Sequence, residues 1–266
     1  MADFGVTGRN YVIVGGTTGL GLSAARALVR HGAQVGIGSR SGASLAAALE
    51  LLGKNAVGCQ LDATAPGSVE ELIEMTCSRF GDLSGMYHVA GGSGRGEGDG
   101  PLHELSDPGW HYTIQQNLTS VMLSNRAAVR RFREQHSGGA ILNMGSVLGF
   151  SPSPAYFSSH AYAAAKAGIE GLSKSLAAYY AKEDIRVNVI APGLVKTPMS
   201  ERAQDDGKIM DFVKGKQPLD GGRIGLPGDL DTAALYLLGE GGRFTTGQVL
   251  RIDGGWSVTE GPGGEE

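Results

Sequence analysis

Residues 14–21 read Val14-Gly15-Gly16-Thr17-Thr18-Gly19-Leu20-Gly21. They lie between a short apolar run, Tyr11–Val14, and a helical pattern over about Gly19–Arg30. This join of strand, glycine turn and helix constrains the fold more than any other feature of the chain. Glycines allow a tight turn and let a pyrophosphate approach the backbone. The helix that follows points its free N–H groups at the anion. Gly15, Thr17, Thr18, Gly19, Leu20 and Gly21 are therefore candidate cofactor-binding residues.

The alternation continues. Gln34–Gly38, Ala56–Leu61, Gly85–Ala90, Ala140–Met144, Ile185–Ile190 and Gln248–Ile252 read as further strands. Helical patterns follow over Ala43–Leu52, up to Phe80, from about Pro108 to Glu134, and from about His160 to Lys182. Such alternation predicts an α/β fold with a parallel sheet and helices on both faces. The strands are continuous apolar runs, as expected when both faces are covered. No Pro- or Ser-rich linker divides the chain, so residues 1–266 are expected to form a single domain that binds a dinucleotide and carries the chemistry. Residues 193–225 break the rhythm, polar and weakly helical around Gln204–Val213, and are expected to form a lid. Gly91–Pro101 is expected to be a mobile rim loop, and residues 257–266 a C-terminal tail.

The second strand ends Gly38-Ser39-Arg40-Ser41. Dinucleotide enzymes that prefer NAD place an acid near this point for the ribose 2′-hydroxyl. Here the acid is absent, and Arg40 suits a 2′-phosphate. Ser39, Arg40 and Ser41 join the candidate set, and NADP(H) is expected in preference to NAD(H).

Tyr162 and Lys166 stand four residues apart in a helix-favouring run, so they share one helix face. A free phenol has a pKa near ~10, and a neighbouring cation favours the phenolate. The pair is expected to pass a proton to or from a substrate oxygen. Net charge is −4, which gives no basic footprint for nucleic acid. Cys59 and Cys77 lack metal-ligand spacing and are expected as free thiols, with no metal site. No apolar run reaches the ~18 residues of a membrane span, and the N-terminus lacks a signal pattern. The chain is expected to be cytoplasmic, with no membrane partner.

The glycine turn and Tyr162-x-x-x-Lys166 together resemble the classical short-chain dehydrogenase/reductase family, over about Tyr11 to Trp256. The resemblance implies a Rossmann-like, doubly wound sheet of about seven strands. Gly15, Gly19 and Gly21 match the family's turn, with Val14 in place of its usual Thr. Asp62, with Ala63 beside it, is similar to the adenine-contacting acid. His88-Val89-Ala90-Gly91 stands where the family has Asn-Asn-Ala-Gly, so both sheet-bracing Asn side chains are lost. Asn117 and Ser146 match the Asn and Ser of the catalytic tetrad. Pro192, Gly193, Val195 and Thr197 resemble the loop that holds the nicotinamide carboxamide. Asp253-Gly254-Gly255 matches a C-terminal signature.

By that resemblance Tyr162 is the general acid/base, and Lys166 lowers its pKa and bonds the nicotinamide ribose. Ser146 donates to the substrate oxygen, and Asn117 holds a water linking Lys166 to solvent. The implied activity is hydride transfer between NADP(H) and a ketone or secondary alcohol, in a dimer or tetramer of identical chains. An NAD-dependent sugar or steroid alcohol dehydrogenase and a non-catalytic dinucleotide sensor are the alternatives. Ser146 and Tyr162 are sixteen positions apart, a longer spacing than the family commonly shows. Ser151, Ser153 and Ser158 in that segment are rival hydroxyls. The segment Val147–Ser159, with Met199, Met210, Phe212, Phe150 and Phe157, is expected to shape a partly apolar pocket.

Overall fold

Seven strands form one sheet in the order β3-β2-β1-β4-β5-β6-β7, every pairing parallel. They are β1 Asn10–Val14, β2 Gln34–Ser39, β3 Ala56–Gln60, β4 Leu83–His88, β5 Gly139–Met144, β6 Ile185–Pro192 and β7 Val249–Ile252. The helices are α1 Gly19–Arg30, α2 Gly42–Leu52, α3 Ser68–Phe80, α4 Asp107–Ile114, α5 Ser120–Gln135, α6 His160–Tyr180, α7 Glu201–Gln204, α8 Gly207–Lys216 and α9 Asp231–Leu238. This computed structural model describes residues 4–261, so residues 262–266 of the expected tail lie outside the described residues.

Successive side chains of a strand point to opposite faces, and β1 divides its residues accordingly. Tyr11 and Ile13 pack with Leu28 of α1, Leu45 of α2 and Leu235 of α9. Val12 and Val14 pack with Leu72 of α3 and Phe132 of α5. Both faces are covered, which is why the strands read as unbroken apolar runs. Strand order reverses between β1 and β4, and a crevice opens outside the carboxyl ends of the strands at such a point. Among the described residues no helix is long and apolar enough to cross a membrane. Cys59 is partly buried and Cys77 buried, both as free thiols.

Three elements differ from the sequence expectation. The helix over Pro108–Glu134 is interrupted by one π-helical turn, Gln115–Thr119, with Asn117 inside it. The Asn117 side chain donates to Thr113 O at 2.9 Å, and the widened turn accommodates that bond. The lid stretch is more ordered than its polarity indicates. Asp206 caps α8, accepting from Lys208 N and Ile209 N, and Ile209 and Val213 bury one face of it. Helix α9, absent from the sequence reading, packs its buried leucines against the sheet.

Candidate active site

The carboxyl ends of β1, β2, β4, β5 and β6 open into one cavity of about 520 Å³. At its floor, Gly15 has φ +86°, and a Cβ there would lie 2.7 Å from Ala90 N. Only glycine lets the first and fourth strand ends approach this closely. Val14 O accepts from both Val89 N and Ala90 N at 2.9 Å, so backbone bonds order the turn although Val14 offers no hydroxyl. Thr17, Thr18, Gly19 and Leu20 line the cavity, with Val89, Ala90 and Gly91 opposite. Gly21, in the first turn of α1, lies behind this lining, where a Cβ would collide with Gly15 O.

Ser39 and Arg40 line the far end, beside Asp62 and Ala63. Thr64 donates to Asp62 through its backbone N–H and its hydroxyl, and these bonds hold the Asp62 carboxyl below its ordinary value. Ser41 departs from expectation. It is not part of the lining and caps α2 by accepting from Ser44 N. Pro192, Gly193, Val195 and Thr197 line the lid side.

Tyr162, Lys166 and Ser146 meet in the same cavity. Ser146 follows β5, and its hydroxyl oxygen accepts from Leu148 N at 3.2 Å, which orients the side chain. Lys166 is 3% exposed and donates to Met144 O at 2.9 Å. A Cβ placed on Gly91 would sit 2.8 Å from Asn117 Oδ1 and 3.8 Å from Lys166 Nζ, so these three groups form one cluster. Asn117 stands behind the lining. Its amide exchanges bonds with Gly92, donating at 2.9 Å and accepting at 3.1 Å.

Burial pushes the Tyr162 phenol up to about 12, and the Ser146 hydroxyl beside it opposes that rise. The Lys166 ammonium donates to Met144 O and lies 5.4 Å from the centre of the phenol ring. Burial brings Lys166 itself down to about 8, so it is still largely protonated at pH 7.

Residues 14–257 match a family model described as enoyl-(acyl carrier protein) reductase. The chain belongs to the classical short-chain dehydrogenase/reductase family. A cis-4-hydroxycyclohexanecarboxylate dehydrogenase of Sinomonas cyclohexanicum is 34% identical over 249 residues, 93% of this chain and 96% of that one. The 3-oxoacyl-acyl-carrier-protein reductase FabG of Escherichia coli is 32% identical, over 93% and 97% of the two chains. A short-chain type dehydrogenase/reductase from Mycobacterium ulcerans superposes with a TM-score of 0.87 at 28% identity, over 96% and 92% of the chains.

Against the pattern of the short-chain dehydrogenase/reductase family, the loss of both Asn side chains after β4 is offset here by His88. Its Nε2 bonds Ala90 O at 2.9 Å and its Nδ1 bonds Ser124 Oγ at 2.8 Å. A carbonyl only accepts, so Nε2 carries the proton and Nδ1 accepts from Ser124. Burial keeps the ring neutral, down to about 3.

The segment Gly91–Pro101 is anchored rather than a free rim. Buried Asp99 accepts from Ala161 N and Tyr162 N at 3.0 Å each, capping the helix that carries the phenol. Nothing in the local sequence ties residue 99 to a helix start some sixty positions on, so pattern reading passes over it. Of the expected pocket residues, Met199 and Phe157 line the cavity. Phe150 and Phe212 instead pack in the cluster around Trp256, and Met210 belongs to neither.

Proposed function

We propose that this chain is an NADP(H)-dependent oxidoreductase that interconverts a ketone and a secondary alcohol, working as one domain within a dimer or tetramer of identical chains. The observation that carries the reading is the junction of Tyr162, Ser146 and Lys166 with the glycine turn in a single cavity. The residues present fit a dinucleotide. Gly15 lets the turn pass close against Ala90 at the cavity floor, and the end of β2 offers Arg40 with no acid in the position NAD enzymes use. Thr17–Leu20 would hold the pyrophosphate, Ser39 and Arg40 the 2′-phosphate, and Asp62 and Ala63 the adenine end. Pro192, Gly193, Val195 and Thr197 would hold the carboxamide. When bound, the nicotinamide supplies or accepts the hydride.

The protein manages the proton. A phenol held up to about 12 keeps its hydrogen at neutral pH, which suits donation to the forming alkoxide during reduction. In oxidation the phenolate must take a proton, so that direction is expected to gain as pH rises. Ser146 donates to the substrate oxygen and offsets negative charge as it develops. Asn117 would hold a water that links Lys166 to solvent, and Lys166 adds positive charge beside the Tyr162 ring. The relatives named for a hydroxy-ring carboxylate and for 3-oxoacyl thioesters support carbonyl–alcohol chemistry.

Acid–base catalysis is typically worth ~10²–10⁴-fold. Tyr162→Phe should lower turnover by at least about a hundredfold while NADPH fluorescence titration is unchanged. The assay is NADPH absorbance loss on a panel of cyclic ketones, 3-oxoacyl thioesters and an enoyl thioester. A variant with near wild-type rate would remove Tyr162 from the mechanism. Turnover confined to the enoyl substrate would move the reaction to a carbon–carbon double bond.

A further inference from the structure

Two arginines meet on the substrate side of the cavity, away from the Arg40 end. Arg95, between β4 and α4, donates through Nη2 to Tyr156 O at 3.0 Å. Arg202, on α7 of the lid, donates through Nη2 to the same carbonyl at 3.4 Å. Both line the cavity that holds Tyr162 and Ser146. Neither forms an ion pair with a carboxylate within the described residues. Asp99, the acid whose charge reaches Arg95, spends both oxygens on the start of α6. A guanidinium carries five N–H donors, and each of these uses one on a neutral carbonyl. Burial and the Arg202 charge together hold Arg95 below its ordinary value. Arg95 is half-buried and Arg202 exposed, and like charges drawn to one carbonyl are unfavourable unless an anion arrives between them. The carbonyl that gathers them belongs to the lengthened segment, which is fixed by Tyr156 on Phe212 at 5.1 Å and Phe157 on Trp256 at 5.8 Å.

We propose that Arg95 and Arg202 together receive a carboxylate borne by the substrate, so that the favoured substrates are oxo acids or hydroxy acids rather than neutral ketones. This rests on the carbonyl–alcohol reading above. It also gives the lengthened segment a role, since its Tyr156 carbonyl draws a cation from the lid and a cation from the β4–α4 loop to one place. The fork geometry of guanidinium matches a carboxylate with paired bonds. The lid arginine would then couple acid binding to the position of α7.

The test compares 4-oxocyclohexanecarboxylate with its methyl ester, in the wild type and in Arg95→Gln, Arg202→Gln and the double variant. NADPH titration and circular dichroism check that each variant folds. The wild type should prefer the acid by at least tenfold in kcat/KM, carried by KM. The double variant should lose at least tenfold more on the acid than on the ester. Calorimetric titration of cyclohexanecarboxylate and its methyl ester gives the same comparison without turnover, so it decides the proposal even if no substrate is reduced. Equal binding of acid and ester, or equal losses in the variants, overturns it. A third arm uses 3-oxobutanoyl-CoA against its N-acetylcysteamine thioester. Losses confined to the CoA substrate would give the arginines to a phosphate and overturn the carboxylate assignment. Neutral ketones turned over without an acid preference would sink this proposal and leave the general reading intact.

Discussion

His88 shows how one side chain can replace a pair. It is fully buried, with Nε2 on Ala90 O and Nδ1 on Ser124 Oγ, so it ties the end of β4 to the turn that faces Gly15. An amide can make such bonds at any pH; an imidazole cannot. The unfolded chain takes up a proton below ~6.5, whereas the folded chain resists until about 3. Where the unfolded state binds more protons, lowering the pH favours unfolding. The His88 contribution is therefore intact at pH 7 and lost as pH falls from about 6.5 toward 3. At pH 5 the loss is up to about 2 kcal/mol, from 1.36 kcal/mol per pH unit. His88→Asn removes the titrating group. Urea midpoints at pH 7 and pH 5 should fall less in this variant than in the wild type, and an equal fall would take His88 out of the acid response. The sequence shows the substitution at residue 88 plainly. It does not show the partners, because Ser124 lies on a helix 36 positions away and only the packed fold brings the two together.

At the scale of elements, what was legible depended on whether the signal was local. The glycine turn, the seven strands and the Tyr162 helix are encoded by neighbours in sequence, and each appears close to where pattern places it. The π-turn at Asn117, the order of the lid and the anchoring of Gly91–Pro101 depend on long-range contacts. A glycine-rich polar stretch reads as mobile, yet Asp99 within it fixes the first turn of α6. A carboxylate on free N–H groups at a helix start also opposes the helix dipole favourably. Asp99→Ala should cost about 0.5–2 kcal/mol, the range for losing an N-terminal cap, visible as a lower urea midpoint. One of the two donors is the Tyr162 backbone itself, so kcat should fall with it. An unchanged midpoint would mean that water satisfies those N–H groups equally well.

The whole molecule places its chemistry where the sheet changes direction. The turn after β1 supplies the cradle, the end of β2 supplies Arg40, and the ends of β4, β5 and β6 supply Gly91, Ser146 and Pro192. A ligand bridging them holds both halves of the sheet together, so binding should register as global stability. At a hundred times its dissociation constant a ligand adds about 2.7 kcal/mol, which for a chain of this size is roughly 5–10 °C in Tm. If Arg40 meets a 2′-phosphate, NADPH should raise Tm more than NADH at equal concentration. Its bond to the phosphate is charge-assisted, so Arg40→Ala should shrink the NADPH shift toward the NADH one and leave the NADH shift in place. Arg40 is exposed at the cavity rim, so the substitution removes a binding group without opening the core, and the Tm of the free variant should be close to that of the wild type. A larger shift with NADH, or a gap between the two cofactors that survives Arg40→Ala, would assign cofactor choice to other residues at the end of β2.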